Sequence, residues 1–187
     1  MNAQSESWPR PHRLTVDDYY RMAEVGVLSP DDRTELIEGE IIDMPPIGSR
    51  HAEVVRLLNK RLVRAAGDSA EVSTQLPVRL SLRSEPQPDF AIVRVRAGSY
   101  RDAHPVPSDV LLLIEVSDST LRYDLGTRAR LYATHTIPEY WVFDLQRSRV
   151  WRHRAPSGQQ YMQLDEITAG TLPIPSCAAE LDLRDVF

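Results

Sequence analysis

Apolar positions follow two rhythms along this chain, and their alternation sets the expected fold. A first helix is predicted from Thr15. That residue can cap it, and Asp17 and Asp18 suit the positive end of the helix dipole in the first turn. It should run to about Val25 and stop at Gly26. Residues 34–44 read as two short strands turned around Glu38-Gly39 and ended by Pro45 and Pro46. Helical spacing returns over 51–66, where Val54, Val55, Leu58, Leu62 and Ala65 share a face, and Gly67-Asp68 closes it. Three strands are expected next, at about 71–82, 89–95 and 110–116, the last apolar enough to be central. After the turn Ser117-Asp118-Ser119-Thr120, a helix is predicted over 121–135, with Leu121, Leu125, Ala129 and Tyr132 on one face. Ile137-Pro138 breaks it before a strand over 139–145. Two antiparallel strands follow at 149–153 and 161–164, turned at Ser157-Gly158, and the apolar tail 172–187 should pack back on the body.

That order gives a mixed α/β domain. An N-terminal helix and hairpin precede a core of helix, three-strand meander, helix and strand. The strand–helix–strand crossover makes the third and fourth strands parallel neighbours with a right-handed connection. The expected division is a flexible tail over 1–13 and a single domain over 14–187.

Composition narrows the class. With 42% hydrophobic residues, 187 residues can build one core. Cys177 is the single cysteine, which excludes an internal disulfide and fits a reducing compartment. The first 13 residues lack the apolar core of a signal peptide, and no apolar run approaches membrane-spanning length. A soluble cytoplasmic protein is expected. A net charge of −5 counts against tight non-specific nucleic-acid binding but leaves room for an acidic metal site. Lys60 is the only lysine; the remaining basic residues are arginines, many of them on expected strand faces and loop edges.

Two acids carry the candidate chemistry. Asp89 opens the strand in Pro88-Asp89-Phe90-Ala91-Ile92-Val93, and Glu115 follows the apolar run Val110-Leu111-Leu112-Leu113-Ile114. Antiparallel pairing sets the start of one strand beside the end of its neighbour, so the two carboxylates can meet at one edge of the sheet. Magnesium or manganese takes one or two carboxylates plus waters and phosphate oxygens, and the Val116 carbonyl could supply a further ligand. The plainer readings stand beside this one. Pro-Asp is a common turn dipeptide. A buried glutamate can be answered by an arginine as well as by a metal. Asp124 and Arg128, four apart, can form a surface ion pair. His51 reads as a helix-start residue, Glu35, Glu38 and Glu40 as a polar hairpin face, and Lys60 as a solvated lysine.

The ordered set of motifs is more specific than any one of them. ELIEGEI at 35–41, His51, PDFAIV at 88–93, IEVSDST at 114–120, YDLGTRARLYA at 123–133 and TIPEYWVFDL at 136–145 stand in succession. The chain thereby resembles the bacterial "putative restriction endonuclease" family within the PD-(D/E)XK nuclease superfamily, over about 15–154. The resemblance implies a restriction-endonuclease-like core and divalent-metal-dependent cleavage of nucleic acid, DNA first. It implies Asp89 and Glu115 as ligands of Mg2+ or Mn2+, and an acid of the early hairpin, Glu38, as an auxiliary group. The superfamily lysine, two residues after the glutamate, is Ser117 here. The family's substitute, four after the helix aspartate, is Arg128. Arginine keeps its charge at any accessible pH, so Arg128 can neutralise charge on a phosphate but cannot act as a base. Three readings result: a metal-dependent endonuclease, a catalytically degenerate nuclease fold that binds nucleic acid or protein, and an interaction domain, dimeric through the hairpin or the C-terminal strands.

Overall fold

The computed structural model describes residues 9–29 and 31–187. Helix α1 (Val16–Glu24) starts in a capping box. The Asp18 N–H donates to the Thr15 hydroxyl at 3.2 Å, and the Asp18 carboxylate accepts the Thr15 N–H at 2.8 Å. Strands β1 (Thr34–Ile37) and β2 (Glu40–Asp43) form a two-residue hairpin. Its turn residues Glu38 and Gly39 both have positive φ, 50° and 80°, as a type I′ turn requires. Gly39 has a second reason to be glycine: a Cβ there would lie 2.8 Å from the Arg13 Cβ. Of the expected tail, residues 1–8 lie outside the described residues. Arg13 is ion-paired to Glu40, and the Leu14 N–H donates to the Gly39 carbonyl at 3.0 Å.

Helix α2 (Ser49–Ala66) turns Val54, Leu58, Leu62 and Ala66 inward. The main sheet runs β3 (Glu71–Thr74), β4 (Phe90–Val93), β5 (Val110–Ser117), β6 (Glu139–Asp144), β7 (Arg149–Ser157) and β8 (Gln160–Ile167), each beside the next. Only β5 and β6 pair in parallel, across the helical crossover, as the strand–helix–strand order implies. Strand β3 is much shorter than its pattern. Gln75 leaves it with a left-handed backbone, Pro77 has no N–H to pair, and 78–86 folds into its own excursion, with Val78 N–H on the Pro86 carbonyl. The tail carries a small pair, β9 (Thr171–Pro173) with β10 (Glu180–Asp182), and packs back as the pattern suggested.

The crossover helix is not one regular helix. Segment α3 (Leu121–Tyr123) runs through a π-turn over Asp124–Arg128 into α4 (Ala129–Thr134). The Asp124 carbonyl accepts the Ala129 N–H five residues on, and also the Tyr140 hydroxyl at 3.1 Å. The wider turn changes which side chains share a face, and it lies beside the site described next.

Every residue of β5 and β6 is buried, because both faces of the sheet are covered. One face (Phe90, Ile92, Leu112, Ile114, Trp141, Phe143) packs against α2 and the tail. The other (Ala91, Val93, Leu113, Tyr140, Val142) packs against α4, Ile37 of β1, and Val78 and Leu80.

Candidate active site

Phe90 is registered opposite Ile114, which sets Asp89 beside Glu115 at one edge of the sheet. Side chains alternate along a strand, so Asp89 shares the face of Ala91, and Glu115 that of Leu113. Ala91 and Leu113 belong to the same core cluster, so the two acids point to the same side. The Asp89 N–H lies 3.4 Å from Glu115 Oε2.

Three donors hold the Asp89 carboxylate. Oδ2 accepts the Val116 N–H at 2.9 Å and meets His51 Nε2 at 3.0 Å, while Oδ1 accepts Gln75 Nε2 at 3.2 Å. Glu115 is held differently. Its Oε1 accepts the Tyr132 hydroxyl at 2.9 Å and lies 2.9 Å from Arg128 Nη1. Arg128 is the hub of the buried charges. Nη2 donates to Glu35 Oε1 at 2.9 Å, Nη1 donates to the Tyr132 hydroxyl at 2.9 Å, and Nε lies 3.3 Å from Asp124 Oδ1, close enough for an ion pair without a hydrogen bond. Asp124 Oδ2 accepts the Ser117 and Thr120 hydroxyls at 2.6 Å each. Ser117 is wholly buried with its hydroxyl on Asp124.

These groups open on a cavity of about 680 Å³ between the hairpin, the 44–48 loop and the sheet edge. Seven acidic side chains line it (Asp32, Glu35, Asp43, Asp89, Glu115, Asp118, Asp124), against Arg33, Arg128 and His51. The charges are not balanced within the site, and the ionisations register this. Burial pushes the Glu115 carboxyl well above its ordinary value. Arg128 opposes the rise, and Asp89, Asp124 and Glu35 add to it. Burial raises Asp124 too, against Arg128 and the two hydroxyls. Burial alone would lower Arg128, but Glu115, Tyr132, Glu35 and Asp124 together push it well up, so the guanidinium stays charged.

A hard-oxygen donor set with too few cations fits a magnesium- or manganese-like ion. Among the described residues, no three His, Cys, Asp or Glu side chains are grouped as metal ligands, so the site offers a carboxylate pair rather than a closed cage. Mg2+ accepts such a pair because it retains several waters.

Glu38 does not reach the cavity. As a turn residue it projects outward, half-exposed, onto Arg130 at 2.6 Å and 3.0 Å. Glu35, two positions before the core residue Ile37 on the same strand face, is the hairpin acid that lines the cavity, 1% exposed. The alternation of β1 carried that signal. Asp124 and Arg128 do pair, but both are buried, so the surface-pair reading fails. Val116 lines the cavity with its N–H on Asp89. Lys60 is exposed on α2. His51 sits in the first turn of α2, as read, and is also the Asp89 partner, which nothing in its spacing announced.

The hydrogen bond to the Asp89 carboxylate raises the His51 pKa, against burial. A raised folded value means that this contact stabilises fully below the ordinary histidine value of 6.5 and fades as pH rises through the raised one. The melting-temperature gap between wild type and His51→Gln should therefore be widest in mild acid and close toward alkaline pH. A gap that is flat or widens with pH would contradict the assignment.

The comparisons with known proteins agree with this fold. A solved structure from Anabaena variabilis ATCC 29413, titled a "putative nuclease belonging to DUF820", superposes with a TM-score of 0.71 at 16% sequence identity. The match covers 93% of this chain and 97% of that one, and it establishes a shared mixed α/β architecture. No curated protein matches the chain. The sequence profile of one family matches over residues 16–184, from the start of α1 to beyond β10. The chain belongs to that family, described as "Uma2: Putative restriction endonuclease".

Proposed function

We propose that this protein is a divalent-metal-dependent endonuclease that hydrolyses DNA phosphodiester bonds, working in the cytoplasm from one domain that begins near residue 14. The observation that carries the reading is the convergence of Asp89 and Glu115, from adjacent strands, on one side of the sheet at a cavity where acidic side chains outnumber basic ones. Asp89 and Glu115 would hold Mg2+ or Mn2+, with the Val116 carbonyl as a further oxygen donor. The ion, when bound, supplies Lewis-acid polarisation of a phosphate and a more acidic water. The chain does the rest. Val116 and His51 hold Oδ2 of the Asp89 carboxylate. Tyr132 and Arg128 fix Glu115. Arg128 stays cationic throughout. It cannot take a proton, and its place is to answer negative charge that builds on the phosphate oxygens.

Isothermal calorimetry with Mn2+ tests the site. Wild type should bind and Asp89→Ala should not. Absent binding in wild type, or equal binding in both, removes the reading. Glu35→Gln should weaken binding, whereas Glu38→Gln, on the outer face, should leave it unchanged.

A second reading has its own observation. Arg128 Nη1 lies 2.9 Å from Glu115 Oε1, on the carboxylate a metal would use. On that account the chain is a nuclease fold that binds nucleic acid or protein without cutting. Arg128→Lys separates the two: cleavage that appears only in the variant marks a degenerate enzyme. Among the described residues no helix is long and apolar enough to cross a membrane. A homodimer is compatible with either reading, and light scattering decides it.

A further inference from the structure

Gln75, the residue just after β3, has φ at 53°, a left-handed conformation that favours glycine or asparagine and strains a longer side chain. One residue holds it there from two directions. The Gln75 N–H donates to the Asp89 carbonyl at 3.1 Å, and the Gln75 carboxamide donates to Asp89 Oδ1 at 3.2 Å. The other oxygen of that carboxylate is engaged by Val116 and His51, so Gln75 is the partner of Oδ1. Gln75 also lines the cavity. A strand that continued along its pattern would need no left-handed residue here. The chain instead accepts local strain at the point where a neutral donor can reach one oxygen of a candidate ligand.

We propose that Gln75 is a positioning residue for the divalent-ion site: its left-handed backbone aims the carboxamide at Asp89 Oδ1 and sets the rotation of that carboxylate. The proposal rests on Asp89 being a metal ligand. A neutral amide suits this place. A carboxylate has about four lone-pair positions, and one N–H on Oδ1 leaves room beside it for a cation without adding charge. A second acid at this position would repel Asp89 while the site is empty, and a guanidinium would replace the ion.

The test uses the full chain, thermal melts with and without Mn2+, and calorimetric titration with Mn2+. Gln75→Asn and Gln75→Gly both tolerate the left-handed backbone, and neither reaches Oδ1. Their metal-free melts should stay close to wild type, while Mn2+ affinity falls by about tenfold or more, the usual effect of losing a group that orients a ligand. Gln75→Glu keeps the length and inverts the chemistry. Its metal-free melt should drop through repulsion from Asp89, and its Mn2+-induced rise in melting temperature should exceed that of wild type. A merely structural glutamine would lower the metal-free melts of the Asn and Gly variants and leave Mn2+ affinity alone. Wild-type Mn2+ affinity in both variants, with wild type binding normally, overturns the role of Gln75. Failure of wild type itself to bind Mn2+ overturns the metal site and this proposal with it.

Discussion

Arg128→Met is expected to lower the unfolding free energy by about 3–5 kcal/mol, the usual penalty for stranding buried charges by removing their partner. The size follows from its position. The Arg128 guanidinium faces Glu35, Glu115 and Asp124, and all four side chains are less than one-tenth exposed. Methionine matches much of the volume, so lost packing contributes little. What remains is a group of carboxylates in low dielectric with no cation among them. Urea denaturation at neutral pH gives the number. Two further signs identify the cause. Lowering the pH should narrow the gap to wild type, because protonated acids need no counter-charge. Added Mn2+ should recover part of the loss, because an ion then supplies the missing charge. A variant as stable as wild type would mean that the acids are already neutral and Arg128 is not their counter-ion.

Glu115→Gln should divide stability from activity. The amide keeps the shape and can still accept from Tyr132, while it removes one charge from an over-acidic site. Burial already drives the Glu115 carboxyl well up, which means that its ionised form is disfavoured there. The variant should melt at the wild-type temperature or above it. On the proposed metal-dependent reading, cleavage should fall by about 10³-fold, since a lost metal ligand forfeits several kcal/mol of charge stabilisation in the transition state and each 1.36 kcal/mol is a factor of ten. A plasmid-nicking assay beside a thermal melt reads both. Nicking at the wild-type rate would remove Glu115 from the chemistry. A large drop in melting temperature would make it a structural ion-pair partner instead.

Much of the architecture was legible because it rests on periodicity. The apolar run of β5, the helical spacing of α2 and the strand–helix–strand order imply the parallel β5–β6 pair from sequence alone. The juxtaposition of Asp89 and Glu115 followed from pairing geometry. The misreadings lie where backbone departs from its average form. Gln75 leaves β3 well before the pattern ends, at a left-handed residue the alternation does not encode. The π-turn over Asp124–Arg128 alters side-chain phase inside a run that looks regular, so an ion pair readable as a surface pair is instead buried. Strand alternation separates the two hairpin acids: Glu35 shares its face with Ile37 and lines the cavity, and Glu38 sits in the turn on Arg130. The contact between His51 and Asp89 joins a helix start to a strand start 38 positions apart, and no local pattern records it.

The acid-lined chamber has a kinetic corollary. A polyanion that approaches Asp32, Asp43 and Asp118 at its lining meets electrostatic repulsion, and the chain as a whole carries −5. On the metal-dependent reading, loading is therefore ordered: the counter-ion enters first, and nucleic acid docks only on the charged-up form. Association rates for an oligonucleotide should then rise with Mn2+ concentration and level off as the chamber fills, while dilute monovalent salt should speed the encounter rather than slow it.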